Sequence, residues 1–168
     1  MNRLGLIIIA IIAAWCAASA GCGAYKTTPK TAKGIQTIAV PFFVNRTPEP
    51  DLELTITERI IDNLIIDNTL KVVDEDDADA LLDGVIIEFE NRPFSFNRDL
   101  NAEEYLVVVT VRATLYNRKT NTPIWEGKSF RGDGSYFLES SERTYLVALD
   151  ESIKEITEQI LNITVQDW

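Results

Sequence analysis

Apolar and polar residues recur with two different periods along this chain, one typical of a helix and one typical of a strand. In residues 51–68 the apolar side chains recur at intervals of three and four, and the same spacing returns in residues 139–165. Both stretches are therefore predicted to be amphipathic helices. Residues 105–116 instead alternate, with Val107 and Val109 on one face and Arg112 on the other, which predicts a strand covered on one side. The second helix is expected to bury Leu146, Leu149, Ile153, Ile156, Ile160 and Ile163.

Shorter stretches complete the predicted sheet. Strands are expected at residues 35–44, 70–73, 85–97 and 124–131. Pro41 should weaken the first of them, and Gly132 and Gly134 should end the last. The order strand, helix, four strands, helix predicts an α+β fold, with two helices packed on one face of a mixed, mostly antiparallel sheet of about four to five strands. The first two strands flank a helix and are expected to be parallel.

The N-terminus carries the pattern of an exported protein. A single basic residue, Arg3, precedes an uncharged aliphatic run from residue 4 to residue 18, and small residues then lead to Cys22. A basic start, an apolar middle and small residues at the end predict a signal peptide. The alternative is a transmembrane anchor, because residues 4–21 make 18 positions, which is the short limit for crossing a bilayer.

Cys22 favours a lipoprotein over an anchor. Small residues directly before a cysteine resemble the bacterial lipobox, in which the cysteine is acylated and the chain is cut just before it. Ser19 departs from that pattern, since leucine is usual at its position. Gly23, by resemblance to lipoprotein sorting, indicates the outer membrane, where acyl chains would hold the protein. The predicted divisions are a signal peptide (1–21), a lipidated tether (22–34) and a single domain (35–168).

Composition narrows the chemistry. The 168 residues include no histidine and only two cysteines, which excludes histidine-dependent catalysis, the usual zinc sites and a disulfide framework. The formal net charge of −10 argues against nucleic-acid binding. The acidic run 74–84 fails as a calcium loop, because Asp79 and Val85 stand where an EF-hand needs glycine and glutamate. No catalytic residue, metal or cofactor is therefore predicted.

Several segments, taken in their order along the chain, resemble the LptE family of lipopolysaccharide-assembly lipoproteins. They are TIAVPFFVNRT, DADALLDGVI, FNRDLNAEEYLVVVTV, and IWEG followed by a helix that ends near a tryptophan. The resemblance covers essentially the whole mature chain and implies a protein without catalytic activity. It implies that the protein plugs the outer-membrane barrel LptD, helps that barrel to fold, and helps to deliver lipopolysaccharide to the outer leaflet.

Two other classes of function stay open. Periplasmic lipoproteins that activate a cell-wall synthase or join a secretion assembly share a first strand similar to IAVPFFVNRT. An enzyme would have to rely on paired carboxylates, such as Glu103 with Glu104 or Asp76 with Asp77. Neighbouring carboxylates in a polar run are more often solvated, so the sequence favours a binding function over catalysis.

The basic residues indicate where an anionic lipid would bind. Residues 92–131 hold seven basic and four acidic side chains, a net charge of +3 within an acidic protein, which suits the phosphates of lipid A. In a meander, Arg98 and Arg131 are expected at one end of the sheet, and Arg118 and Lys119 at the other. The family resemblance also implicates Arg98 in lipopolysaccharide contact. The candidate lipopolysaccharide-binding residues are Arg98, Arg131 and Arg92.

Overall fold

Two α-helices and six β-strands form the part of the chain that the computed structural model describes, residues 34–166. The strands are β1 (Thr37–Ala39), β2 (Val44–Asn45), β3 (Lys71–Val72), β4 (Ala80–Phe96), β5 (Ala102–Asn117) and β6 (Thr122–Phe137). The helices are α1 (Leu52–Asp67) and α2 (Tyr145–Gln166), with a 3₁₀ turn at Glu75–Asp77. The predicted signal peptide, Cys22 and nearly all of the predicted tether lie outside the described residues.

The strands form one mixed sheet in the order β3-β1-β4-β5-β6. Strand β1 is parallel to β3 and β4, whereas β4, β5 and β6 form an antiparallel meander. The predicted α+β class and the parallel first pair are confirmed. The sheet has six strands because the predicted strand 35–44 divides around Pro41, and its second part, β2, pairs separately with β4 at Val85. Proline has no N–H for a ladder hydrogen bond, which explains the division.

Both helices pack on the same face of the sheet and share one apolar core. Val107 and Val109 of β5 are completely buried beneath them, while Arg112 is exposed on the opposite face, which confirms the predicted alternation. In α2, the predicted core residues Ile153, Ile156 and Ile160 are buried, and Leu149 and Ile163 are half-buried. Leu146 is 71% exposed, so its predicted burial was wrong.

Helix α2 begins at Tyr145, six residues later than predicted, because residues 139–144 form a turn of their own. The Ser140 hydroxyl oxygen accepts hydrogen bonds from the N–H groups of Glu142 and Arg143. Thr144 then accepts from Val147 N–H through its hydroxyl and from Ala148 N–H through its carbonyl. Short hydroxyl side chains favour such local bonds over a continuing helix, so they move the start of α2 to Tyr145.

Gly132 and Gly134 do not end the last strand, and the prediction that they would do so was wrong. Strand β6 continues to Phe137, and α2 crosses it at these two glycines. A Cβ at Gly132 would lie 2.0 Å from the Ser152 carbonyl oxygen, and one at Gly134 would lie 2.1 Å from that of Ala148. The glycines are therefore needed for the close approach of helix to strand.

The outer edge of β6 is closed by groups from α2 and the turn before it. Gln159 donates a hydrogen bond to the Arg131 carbonyl (2.9 Å), and Glu155 accepts one from Asp133 N–H (3.2 Å). Arg143 contacts the next two positions: its guanidinium donates to the Ser135 carbonyl, and its own carbonyl accepts from Phe137 N–H. An edge whose backbone groups are already bonded does not readily add another strand.

Asp79 fastens the beginning of β1 to the beginning of β4. The acidic run 74–84 is not one continuous loop, because β4 starts at Ala80, earlier than the predicted strand start at residue 85. One carboxylate oxygen of Asp79 accepts from the N–H groups of Gln36 (2.9 Å) and Thr37 (3.2 Å), and the other lies 2.6 Å from Lys119 Nζ. The Lys119 hydrogen bond, followed by that from Gln36, lowers the pKa of Asp79 from 3.8 to about 2.

Asp79→Asn is expected to lower the free energy of unfolding by about 2 kcal/mol at pH 7. Since the pKa of Asp79 is lower in the folded state, the stabilisation is present above about pH 4 and is lost as the pH falls towards 2. Urea unfolding at pH 7 and at pH 3 should show a narrower gap between parent and variant at the lower pH. The control is Asp76→Asn, in the exposed 3₁₀ turn. An equal loss in both variants would contradict a specific role for Asp79.

Candidate functional site

The face of β4, β5 and β6 opposite the helices, here called the outer face, carries charged and polar side chains around a few apolar ones, and it is covered by no helix within residues 34–166. Cross-strand pairing arranges its side chains in rows that run across the three strands. The rows are Val85–Arg112–Ser129, Glu88–Thr110–Arg131, Glu90–Val108–Asp133 and Arg92–Leu106–Ser135. Arg92, Arg112 and Arg131 share this face with Glu88, Glu90 and Asp133, and the Thr110 hydroxyl donates to Glu88 over 2.8 Å. The outer face therefore offers side chains of both charges, and both hydrogen-bond donors and acceptors.

The structure separates Arg131 from Arg98, contrary to the predicted neighbourhood. Arg131 pairs with Thr110, eight positions from the first residue of β5, Ala102, where the β4–β5 turn begins. At about 3.3 Å per residue, the two arginines are roughly 25 Å apart along the sheet. The physical reason is the continuation of β6 through the two glycines, which places Arg131 in the middle of its strand. Its diagonal neighbour on the outer face is Arg112.

Arg92 lies between these two positions and is already paired. Its Nε is 3.2 Å from a Glu90 carboxylate oxygen, and about half of each side chain is exposed. An exposed ion pair of this kind contributes little to the free energy of unfolding. A more highly charged anion can therefore displace Glu90 from Arg92 with little loss of stability. The net charge of +3 counted over residues 92–131 does not form a separate basic surface, because pairing brings Glu88 and Asp133 among the arginines.

Arg98 occupies a well-ordered turn between β4 and β5. The Asn97 carboxamide oxygen accepts hydrogen bonds from the N–H groups of Asp99 and Asn101, both at 3.0 Å. Leu100 adopts a left-handed backbone with φ of 62°, and Asn97 and Asn101 also share a backbone hydrogen bond. Arg98 is exposed at the end of this turn and forms no salt bridge with any described residue. An exposed guanidinium that forms no salt bridge with a described residue, on a turn whose backbone is held in place, is suited to bind an external anion.

Large apolar side chains are exposed on both sides of Arg98 in the β4–β5 turn, and also at the end of β6 and the start of α2, and the sequence interpretation did not identify them as one exposed group. The group comprises Phe94, Phe96, Leu100, Phe137, Leu138, Leu146 and Val147. We call the group formed by residues 94–101 the hairpin tip. A cavity of about 570 Å³ separates it from residues 137–140. The sequence did contain an indication of this exposed group. In FSFNRDL the aromatic residues are neighbours of a cation in a polar turn, where no helix would cover them. Exposed apolar patches of this kind mark interaction sites.

Three tyrosines hold the base of the hairpin against α2. The rings of Tyr105 and Tyr136 stack with centroids 5.5 Å apart, and Tyr145 meets Tyr136 edge to face at 5.9 Å. The Tyr145 hydroxyl donates to Glu49, while Asn91 bonds to the Tyr136 hydroxyl. Burial, followed by the Glu49 hydrogen bond, raises the pKa of Tyr145 above its usual value. The hydroxyl therefore remains a donor, and the hairpin tip extends from a fixed base.

The hairpin tip and Gly34, where the described chain begins, lie at opposite ends of the sheet. Because β1 is parallel to β4, with Ile38 beside Ala80, the first described residues adjoin the start of β4. The 17 residues of β4 then run to Phe96, a distance of roughly 50 Å. Arg118 and Lys119 lie at the end of the sheet opposite Arg98, as predicted; we call this end, where the described chain begins at Gly34, the tether end. Lys119 is bonded to Asp79, so it also contributes to stability there.

Within residues 34–166, no three or more potential metal-ligating side chains lie together in a group. Neither described helix has the length and apolarity needed to cross a membrane. Of the candidate carboxylate pairs, Glu104 accepts a hydrogen bond from the Ser95 hydroxyl (3.4 Å). Its neighbour Glu103 points away from it, since successive side chains of β5 face opposite sides of the sheet.

Comparison with known proteins gives one family match and several similar folds. The family model for lipopolysaccharide assembly, LptE, matches residues 35–163. No curated protein sequence matches the chain. A protein of Xanthomonas campestris aligns with a TM-score of 0.61 at 8% identity, over 81% of this chain and 90% of that one. Lipoprotein B of Nitrosomonas europaea aligns with a TM-score of 0.54 at 16% identity, over 78% and 83% of the respective chains.

A hypothetical protein of Chlamydia trachomatis has the same fold. It aligns with a TM-score of 0.54 at 10% identity, over 77% of this chain and 98% of its own. Identities this low establish the shared fold alone, whereas the family model covers most of the described chain.

Proposed function

The chain belongs to the LptE family of lipopolysaccharide-assembly proteins, and we propose that it is an outer-membrane lipoprotein that acts by binding, not by catalysis. In this proposal Cys22 carries the acyl chains, and residues 23–34 connect them to one domain. One acyl chain alone holds a protein only marginally, whereas several hold it durably. The lipid anchor is supported by the lipobox-like sequence before Cys22, and no cofactor is required.

The protein is further proposed to plug an LptD-like barrel and to assist its assembly. The observation that carries this proposal is the outer face, which presents basic and acidic side chains together and is covered by no helix of the described chain. The lumen of a large outer-membrane barrel is polar, so a partner there must offer donors and acceptors instead of an apolar surface. A hairpin that extends roughly 50 Å from the anchored end is long enough to enter such a barrel.

Affinity purification from detergent-solubilised outer membrane tests the barrel proposal. The expected result is one large outer-membrane barrel bound at a fixed ratio. Recovery of a cell-wall synthase or of a secretion component in its place would overturn the barrel proposal and support the periplasmic alternative.

Charge reversal of Arg112 on the outer face should weaken barrel binding more than reversal of Arg118, which lies at the tether end.

Lipopolysaccharide binding is proposed at the hairpin tip. Lipid A presents phosphates beside acyl chains, and the tip presents the unpaired Arg98 beside exposed Phe96 and Leu100. Arg92, whose surface ion pair with Glu90 is weak, is proposed as a second contact along the same hairpin. Arg131 is retained as a separate candidate in the middle of the outer face, where Arg112 adjoins it.

Cys22→Ser is expected to abolish the lipid anchor. Without the thiol there is no acylation, so the lipoprotein peptidase should leave the precursor uncut. Metabolic labelling with a fatty acid, together with the gel mobility of the product, measures both steps. Cys16→Ser is the matched control, because Trp15 before it is too bulky for the peptidase. A lipid-labelled, mature-size product from Cys22→Ser would place the acylation elsewhere.

A further inference from the structure

A groove lies between α1 and the ends of β1 and β3, at the sheet edge remote from β6. It has a volume of about 730 Å³. Its floor is apolar and includes Val40, Pro41, Ile61 and Val72. Phe42 stands at its border with 68% of its surface exposed. The groove is well away from the outer face and from the hairpin tip, and the functions proposed above make no use of it.

The rim of the groove is acidic. Glu58 on α1 and the run Asp74, Glu75 and Asp77 line it, and no lysine or arginine is among its lining residues. Four carboxylates around an apolar floor favour an occupant that combines positive charge with an apolar side chain. Such an occupant would also cover Phe42, which no described residue buries.

Residues 24–33 of the same chain have this chemistry. Their sequence, AYKTTPKTAK, contains three lysines, one tyrosine and no acidic residue. The rest of the chain from residue 34 onward holds 12 basic and 26 acidic side chains, so this segment is a basic peptide next to a strongly acidic domain. Lys26, Lys30 and Lys33 offer partners for the rim, and Tyr25 offers one for the floor.

The segment also ends in the right place. It joins the described structure at Gly34, three residues before β1. The Thr37 hydroxyl at the start of β1 donates to the Asp77 carbonyl over 3.1 Å, so the chain enters directly beside the acidic run. The groove lies beside β1, which has only three residues. Its far end is therefore only roughly 20 Å from Gly34. Ten extended residues span up to about 35 Å.

We propose that residues 24–33 bind along this groove, with the lysines on its acidic rim and Tyr25 against its apolar floor. Binding would shorten the free part of the tether and hold the β3 edge of the sheet towards the membrane. That orientation rests on the proposed acylation of Cys22, whereas the binding itself depends on neither the acyl chains nor a barrel partner.

Carbodiimide cross-linking tests the proposal, because this reagent joins only amines and carboxylates that are already in contact. The acylated full-length protein, in a neutral detergent, should give peptides that link Lys26 or Lys30 to Glu58 or Glu75. A mixture of isotope-labelled and unlabelled protein shows whether each link lies within one chain. Links between two copies, or an absence of links to the groove, would overturn the proposal.

Charge reversal supplies a second, independent readout. Trypsin should cut after Lys26 and Lys30 about tenfold faster in the double variant Glu58→Lys with Glu75→Lys than in the parent, a change that corresponds to about 1.4 kcal/mol of binding. The control is Glu103→Lys with Glu139→Lys, which makes the same charge change near the hairpin tip. Equal acceleration in both variants would indicate a bulk charge effect and overturn the proposal. Failure to recover a barrel partner would leave these results unaffected.

Discussion

Gly134→Val is expected to lower the melting temperature by roughly 10 °C or more. A Cβ at this position would lie 2.1 Å from the Ala148 carbonyl oxygen and 2.8 Å from its carbonyl carbon. Both are backbone atoms of α2, so no rotamer change relieves the collision, and the helix must move away from β6. Overpacking of this kind costs about 3 kcal/mol, and each kcal/mol shifts the midpoint by about 3 °C in a domain of this size.

Thermal unfolding followed by circular dichroism measures the effect. Ser129→Val is the matched control, because it adds the same side chain to the same strand on the outer face, where no described helix lies. Gly132→Val should behave like Gly134→Val, since its Cβ would meet the Ser152 carbonyl at 2.0 Å. If both glycine variants melted with the parent, α2 would not cross β6 at these residues.

These glycines show where sequence analysis was sufficient and where it was not. Phe130, Gly132, Gly134 and Tyr136 occupy alternate positions on one face of β6, a pattern that continues the strand. Glycine, however, is equally common where a strand ends and where a backbone approaches closely. Only the position of α2 distinguishes these cases, and that position depends on packing between residues distant in the chain. The helix and strand types were therefore predictable, but the end of β6 was not.

The error in the candidate site follows from the same strand end. A strand that stopped at residue 131 would have placed Arg131 at the hairpin end of the sheet. Six additional residues displace the end of β6 by about 20 Å, so Arg131 lies beside Arg112 instead of Arg98. The sequence count of charges over residues 92–131 was correct, but the pairing of β4 with β5 brings in Glu88 and Glu90, which a linear window omits.

Arg98→Asp is expected to weaken lipopolysaccharide binding by about ten- to one-hundred-fold. A charge-assisted contact contributes about 1.5–3 kcal/mol where it is shielded from water, and the apolar neighbours Phe96 and Leu100 supply that shielding if acyl chains cover them. The substitution removes the attraction and introduces repulsion of the phosphate. Because the turn is held by Asn97 and not by the Arg98 side chain, the fold should remain intact, and the melting temperature checks this.

Arg118→Asp is the matched control for this experiment. It makes the same charge change at the opposite end of the sheet, on an exposed side chain. Lys119 is unsuitable because its loss would also release Asp79. Binding measured at low and physiological salt should fall for Arg98→Asp far more than for Arg118→Asp, since exposed charges act only over about 8 Å at physiological ionic strength.

Arg131→Asp, measured beside Arg98→Asp, assigns the site to one of two places roughly 25 Å apart. If the hairpin tip binds lipid A, Arg131→Asp should resemble the control, and Phe96→Ser with Leu100→Ser should weaken binding of the acylated lipid without affecting its isolated headgroup sugars. If Arg131→Asp caused the larger loss, the phosphates would lie at Arg112 and Arg131 on the outer face. Equal losses in all three arginine variants would mean that net charge, and no particular site, governs the binding.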